Sequence, residues 1–249
     1  MPSYPLIKPN YYWSLIIDLG NFIKSPSLKP STKKTVKNKV YDTIGLFFIK
    51  VVFSIVITSL LQFIYEPENL TSSNMAERFE PLLLLLVGGI ILPFFEEITF
   101  RLSLKFNPIY FALTSGAFTY YMLTKVVFTS RISLLDETFW HRIIPALIVI
   151  PLAYAIYRRK SVNIILEGFW EKHFRLLYYL SCVSFSWLHI FNFKLSLINL
   201  LWLPVLTLPQ LFSATIAGYT RVVFGFQYPL LVHMCTNLFF LSLTFLALD

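Results

Sequence analysis

An all-α, polytopic membrane bundle of about seven transmembrane helices, preceded by an N-terminal interfacial helix, is what this sequence predicts. Three observations predict it. Of 249 residues, 56% are hydrophobic and only 14% charged, where a soluble domain carries roughly a quarter charged. Mean hydropathy is +0.66, and several apolar runs approach the roughly 20 residues that a bilayer core requires. Twenty-five Phe against eight Gly, without recurring alternating segments, argue against a water-filled β-barrel.

In chain order, residues 1–43 form a basic segment, and residues 44–249 the transmembrane domain. Residues 11–23 can lie in the interface as an amphipathic helix, with Tyr11, Tyr12 and Trp13 at headgroup level. The first span is expected at about Ile44–Tyr65, followed by an acidic loop with Glu66, Glu68, Glu77 and Glu80 against Arg78. The second runs from Pro81 to about Phe106, and three more follow near Asn107–Lys125, Arg142–Tyr157 and Phe174–Phe193. Spans near Ser196–Thr220 and Val222–Leu248 complete the seven. No internal repeat, low-complexity tract or soluble domain is visible.

The formal charge of +8 is uneven, with Lys24, Lys29, Lys33, Lys34, Lys37 and Lys39 crowded before the first span. Topology accounts for that excess, so the expected partner is anionic lipid headgroups and not nucleic acid. With the N-terminus inside, these lysines, Lys105, Arg158, Arg159, Lys160, Lys172, Arg175 and Arg221 face the cytoplasm. Arg78, Lys125, Arg131, Arg142 and Lys194 fall outside. That asymmetry follows the positive-inside rule and predicts a multi-pass protein of the cell membrane. Cys182 and Cys235 lie in apolar stretches without zinc-knuckle spacing. Asp18 and Asn21 break the first apolar stretch and no small-residue site follows, so no cleavable signal peptide is expected.

Chemistry concentrates where it is most costly. Three spans carry polar groups at bilayer depth: "FFEEITFR" (94–101), "FSWLH" (185–189) and "HMCTN" (233–237). A charged side chain there costs at least about 2.5 kcal/mol on insertion scales. Glu97 and Arg101 are four apart and can pair; Phe185 and His189 share a face, as do His233 and Asn237. Glu96 points about 100° away from Glu97 and must find a proton, a cation or a histidine on another helix. Glu96, His189 and His233 lie roughly 15, 21 and 16 Å from the cytoplasmic ends of their spans, so the three can meet at one level. Each group alone has a bland reading, as ion pair, interhelical hydrogen bond or core packing. Six of them at one depth on three helices answer no packing need.

In chain order the three stretches match E-E-x-x-x-R, F-x-x-x-H and H-x-x-x-N. Over roughly Pro81–Leu248 the chain thereby resembles the CPBP intramembrane protease family, also called the Abi or type II CAAX-protease family. "ATIAGYTRVVFG" also looks like that family's entry to its last motif. Leu102 stands where many members place glycine, and two extra spans, about 107 to 157, separate the first two motifs. The resemblance implies a peptidase in which Glu96 and His189 activate water. His233 and Asn237 would clamp the oxyanion, and Glu97 with Arg101 would hold the surrounding charge. Metal participation stays open at this point. Glu96, His189 and His233 have the donor types of many catalytic zinc sites, but they come from three helices and no H-E-x-x-H is present; metal-independent chemistry is the expectation.

Two other classes remain in view. A non-proteolytic relative of the same fold, serving bacteriocin immunity or as a membrane scaffold, would carry the same motifs. An ion-coupled transporter could use the same buried carboxylates and histidines. For a peptidase the substrate is a peptide precursor or membrane protein, and the Phe-, Ile- and Lys-rich composition looks bacterial.

Overall fold

The computed structural model describes residues 5–29, 34–128 and 136–246; Lys33, Arg131 and the end of the last expected span lie outside them. Within those residues the regular structure is helical, apart from one isolated bridge between Asn69 and Phe193. Helix α1 spans Pro9–Lys24, α2 Val36–Ile64 and α3 Leu70–Arg78. Next, α4 (Pro81–Leu86) passes through a π-helical turn at Val87–Ile91 into α5 (Leu92–Phe100). Helix α6 (Pro108–Met122) also runs on into a π-helical turn, Leu123–Val127. Then come α7 (Phe139–Tyr157), α8 (Lys160–Leu188) with a 3-10 turn at His189–Asn192, and the short α9 (Leu197–Leu201) and α10 (Leu203–Leu206). Helices α11 (Leu208–Val223) and α12 (Gln227–Leu246) end the bundle.

Local chemistry sets many of these boundaries. The Thr35 hydroxyl accepts from the Asn38 amide at 3.3 Å, and the Asn107 side chain from the Ile109 amide at 2.9 Å; each satisfies an amide the first helical turn leaves open. Prolines start α1, α4 and α6, where their missing N–H costs nothing.

Among the described residues, four helices are long and apolar enough to cross a membrane: Val36–Ile64, Pro81–Leu104, Phe139–Tyr157 and Gln227–Phe245. They correspond to the first, second, fourth and seventh expected spans. Of the other three, the third is one helical stretch, α6 with its π-helical turn, and the remaining two are divided differently. Residues 196–220 are not one helix, because Pro204 and Pro209 cannot donate to a preceding turn; each instead opens a new helix, α10 and α11. Helix α8 bends at His173 and carries Glu167, Glu171, Lys172 and Arg175 before its apolar part. Only 22% of the apolar window of α2 is buried, and Phe63 is 89% exposed. Apolar surface bared on that scale suits hydrocarbon and not water.

Helix α1 lies where the amphipathic pattern placed it. It buries Leu15 and Leu19, while Phe22 packs edge-on against Tyr178 and Tyr219. Gly45 of α2 permits the close approach, since a Cβ there would meet Leu15 Cδ1 at 2.5 Å. Trp13 is exposed as expected of a headgroup residue, but Tyr11 is not free to serve as one. Its hydroxyl donates to the buried Asp42 carboxylate. Lys34 bridges Asp18 at 3.0 Å and Asp42 at 2.8 Å, and Lys39 donates to the Phe224 carbonyl at 3.1 Å. Part of the basic segment is therefore spent on docking α1, and Lys24, Lys29 and Lys37 stay exposed.

At the centre, α11 is buried over almost all of Ser213–Val222. It packs on α2, α8 and α12, and that sandwich brings the three polar stretches together.

Candidate functional site

Helix α5 supplies Glu96 and Glu97, and Arg101 caps its C-terminal end. The carbonyls freed where α5 stops are taken up by other elements. Ser181 donates to the Phe100 carbonyl at 2.6 Å and Trp170 to that of Ser103 at 2.8 Å. Arg221 donates to the carbonyls of Arg101 at 3.1 Å and Leu102 at 2.7 Å. Arg221 is thus buried in the fold and does not point freely to the cytoplasm as its position in sequence suggested. The end of α5 is fixed from α8 and α11 at once.

Opposite, α12 supplies His233 and Asn237. The Asn237 amide donates to the Gly88 carbonyl in the π-helical turn at 3.0 Å. That turn lies close under α12, since a Cβ on Gly89 would meet Leu238 Cδ2 at 2.4 Å. Helix α8 contributes Phe185, and His189 terminates it.

His233 is the junction. Its Nδ1 lies 2.8 Å from Glu97 Oε1, and its Nε2 lies 3.6 Å from Glu96 Oε2. An ionised Glu97 can only accept, so Nδ1 carries the hydrogen and Nε2 faces Glu96. The partner that Glu96 lacks on its own helix is this histidine from α12. Glu97 is fully buried, whereas the Glu96 side chain keeps 18% exposure. The first carboxylate is therefore the one that water can reach.

Glu97 and Arg101 do pair, at 3.7 Å from Nη1 to Oε1. The greater share of the Arg101 environment is aromatic: its Cζ stands 3.7 Å from the Phe185 ring centroid, and Nε, Nη1 and Nη2 have no hydrogen-bond acceptor. Phe185 also packs on His189 at 4.6 Å and, edge-on, on His233 at 5.9 Å. The phenylalanine of the second motif is the platform on which the other groups rest, a role that core packing alone did not suggest.

His189 donates through Nδ1 to the Phe185 carbonyl at 2.7 Å, which leaves Nε2 as an acceptor. It interacts electrostatically with Glu96 and with His233 but touches neither carboxylate. The sequence therefore located five of the six groups around one centre. Asn237 lies on the α12 face toward the π-helical turn and spends one amide hydrogen there. The Nδ1 hydrogen of His233 is spent on Glu97.

Two further residues belong here. Lys50, in the middle of α2, is 4% exposed and interacts with Glu97, Arg101, Glu96 and Cys235. Its signal in the sequence was a lone cation within "GLFFIKVVFSIV". Lys125, in the π-helical turn after α6, interacts with Glu96 and bonds Asn192 at 3.4 Å.

The zinc reading of Glu96, His189 and His233 meets a geometric test. Among the described residues no three His, Cys, Asp or Glu side chains come together as a metal-binding group. Glu96 and His233 are neighbours, but His189 does not close the set. These donors do not fit a metal ion as they stand. No family model matches the chain, and no curated protein or solved structure is significantly similar to it.

Proposed function

We propose that this chain is an intramembrane endopeptidase of the CPBP type, hydrolysing a peptide bond with water activated by Glu96. The observation that carries the reading is His233 held between two carboxylates, one sealed from solvent and one reachable. In this reading Glu96 takes a proton from water as the oxygen attacks the scissile carbonyl carbon. His189, fixed at Nδ1, accepts from the same water through Nε2 and orients it. The Glu97–His233 bond fixes the imidazole tautomer, and Arg101 on the Phe185 ring neutralises Glu97. On collapse of the tetrahedral intermediate, the C–N bond breaks and the proton held by Glu96 passes to the leaving nitrogen. The three motifs at one centre support this assignment, and so does the half-buried carboxylate beside an imidazole.

The proposal extends to topology. The protein sits in the cytoplasmic membrane with its N-terminus inside, and α6, residues 174–188 of α8 and the α9–α11 stretch make the three further crossings. Anionic lipid headgroups meet the basic segment, where a cavity of about 540 Å³ is rimmed by Lys29, Lys172 and Arg175 over Leu28 and Phe174. The substrate is a peptide or membrane protein.

One observation favours a different reading. Asn237 and His233, the expected oxyanion donors, both have hydrogens committed to protein acceptors, as suits a non-proteolytic relative that keeps the fold as a scaffold. One experiment separates the two. The purified protein is reconstituted in liposomes with a fluorogenic peptide library and compared with Glu96→Ala, with and without chelator. Cleavage that falls about 10²–10⁴-fold in the variant and ignores chelator supports the peptidase. Equal cleavage by both proteins, or none by folded wild type, overturns it.

A further inference from the structure

Four cations are buried among the described residues: Lys50, Arg101, Arg142 and Arg221. Two of them have hydrogen-bond acceptors. Arg142 donates to Thr124 at 3.1 Å and Asp136 at 2.7 Å, and Arg221 holds the two carbonyls at the end of α5. Arg101 lies on Phe185 with its donors unspent. Lys50 makes no hydrogen bond or close ion pair with any described residue, although it interacts electrostatically with both glutamates of the site. A lysine held on a buried helix face without a hydrogen-bond acceptor is costly, and a fold that needed it only for packing would fill the position with Leu or Met.

Its placement is not accidental to α2. Asp42, Leu46, Lys50 and Ser54 recur every fourth residue and are all buried, so Lys50 belongs to the stripe that α2 turns toward α11 and α12. Cys235, one of its electrostatic neighbours, is exposed on α12, two residues from His233 and on a different face of that helix. Meanwhile the two groups expected to stabilise an oxyanion are tied down: Asn237 to the Gly88 carbonyl, and His233 Nδ1 to Glu97. The site has carboxylates to activate water, and the donors left for the charge that follows are the second amide hydrogen of Asn237 and those of its cations.

We propose that Lys50 supplies the positive charge that stabilises the oxyanion formed when water adds to the scissile carbonyl. The inference rests on the peptidase reading. As the new C–O bond forms, the carbonyl π electrons move onto oxygen and the water proton goes to Glu96. The Lys50 ammonium donates a hydrogen bond to that oxygen and keeps its protons throughout. When the C–N bond breaks, the electrons return to the carbonyl and Lys50 is free again. A cation already in place needs no reorganisation at that moment.

The test compares Lys50→Met and Lys50→Arg with wild type in liposomes, using whichever library peptide the wild type cleaves. The fold is checked by protection of the buried Cys182 thiol in a Cys235→Ser background. Lys50→Met is expected to lower kcat about 10²-fold with KM little changed, and Lys50→Arg to recover part of that loss. A phosphonate analogue of the same peptide, whose anionic tetrahedral group imitates the intermediate, should lose affinity for Lys50→Met by a similar factor. If Lys50→Met loses Cys182 protection, Lys50→Gln carries the same comparison. Wild-type cleavage with an unimpaired Met variant, or equal losses in the Met and Arg variants, refutes the role of Lys50 alone. Absence of wild-type cleavage refutes the peptidase reading, and this inference with it.

Discussion

The contact between Arg101 and Phe185 permits the most quantitative test of the site. The guanidinium is 1% exposed, lies 3.7 Å over the ring centroid and has no hydrogen-bond acceptor for Nε, Nη1 or Nη2. Exposed cation–π pairs contribute about 0.5–1 kcal/mol and desolvated ones about 2 or more, so the second figure applies. Phe185→Leu also removes buried volume, which costs about 1 kcal/mol for a loss of this modest size. The substitution is therefore expected to destabilise the protein by about 3 kcal/mol. In an Arg101→Met background the ring has no cation to hold, and the same substitution should cost only about 1 kcal/mol. The coupling is thus about 2 kcal/mol. Unfolding can be followed by titrating dodecyl sulfate into mixed micelles and reading the reactivity of Cys182, buried in α8, with Cys235→Ser removing the other thiol. Equal costs in both backgrounds would mean that Phe185 is simple packing and no platform for Arg101.

Three further outcomes follow from the same geometry. Gly89→Ala drives a Cβ to 2.4 Å from Leu238 Cδ2, so it should destabilise by about 1–3 kcal/mol in the same titration; a neutral result would show that α12 does not approach the π-helical turn so closely. Arg221→Met strips two carbonyls at the end of α5 of a charged donor and should cost about 3 kcal/mol, whereas a variant as stable as wild type would leave the end of α5 without need of α11. Burial disfavours the Lys34 ammonium, but its hydrogen bonds to Asp42 and Asp18 outweigh that and raise its pKa. The stabilisation is then complete below the ordinary value of 10.5 and disappears only as pH climbs through the raised one. Docking of α1, followed by limited proteolysis after Lys24, should not change between about pH 7 and 9; progressive release across that window would contradict the network.

The parts of the fold that could be read directly are those set by short-range physics. An apolar run such as Val51–Leu61 has no stable place in water, and Thr35 or Pro81 marks a helix start by its own side chain. The 196–220 stretch shows the boundary of that logic. Its hydropathy is that of a span, yet Pro204 and Pro209 divide it, and hydropathy carries no record of missing amide donors. The π-helical turns are equally silent in sequence. In Val87–Ile91 the Gly88 carbonyl accepts from the Asn237 amide, 149 residues away in sequence.

For the site, the division runs between spacing and partner choice. Glu97 and Arg101 could be paired from their separation by one turn, and the isolation of Glu96 followed from the same geometry. That Glu96 would need a proton, a cation or a histidine from elsewhere was legible; that His233 would stand between both carboxylates was not, because one imidazole has two nitrogens and sequence does not say where each points. Lys50 is the sharper case. A single lysine in an apolar helix reads as a residue that could snorkel to a membrane surface, and only the packing of α2 on α11 and α12 turns it inward. Once inward, its meaning depends on which acceptors the fold provides. Arg142 and Arg221 are given them and become structural, whereas Lys50 and Arg101 are not; Arg101 pairs with Glu97 and Lys50 interacts with it electrostatically. A buried cation with its hydrogen bonds filled is part of the scaffold. One with donors to spare can still answer a charge that is not yet there, and in this chain both such cations interact with Glu97.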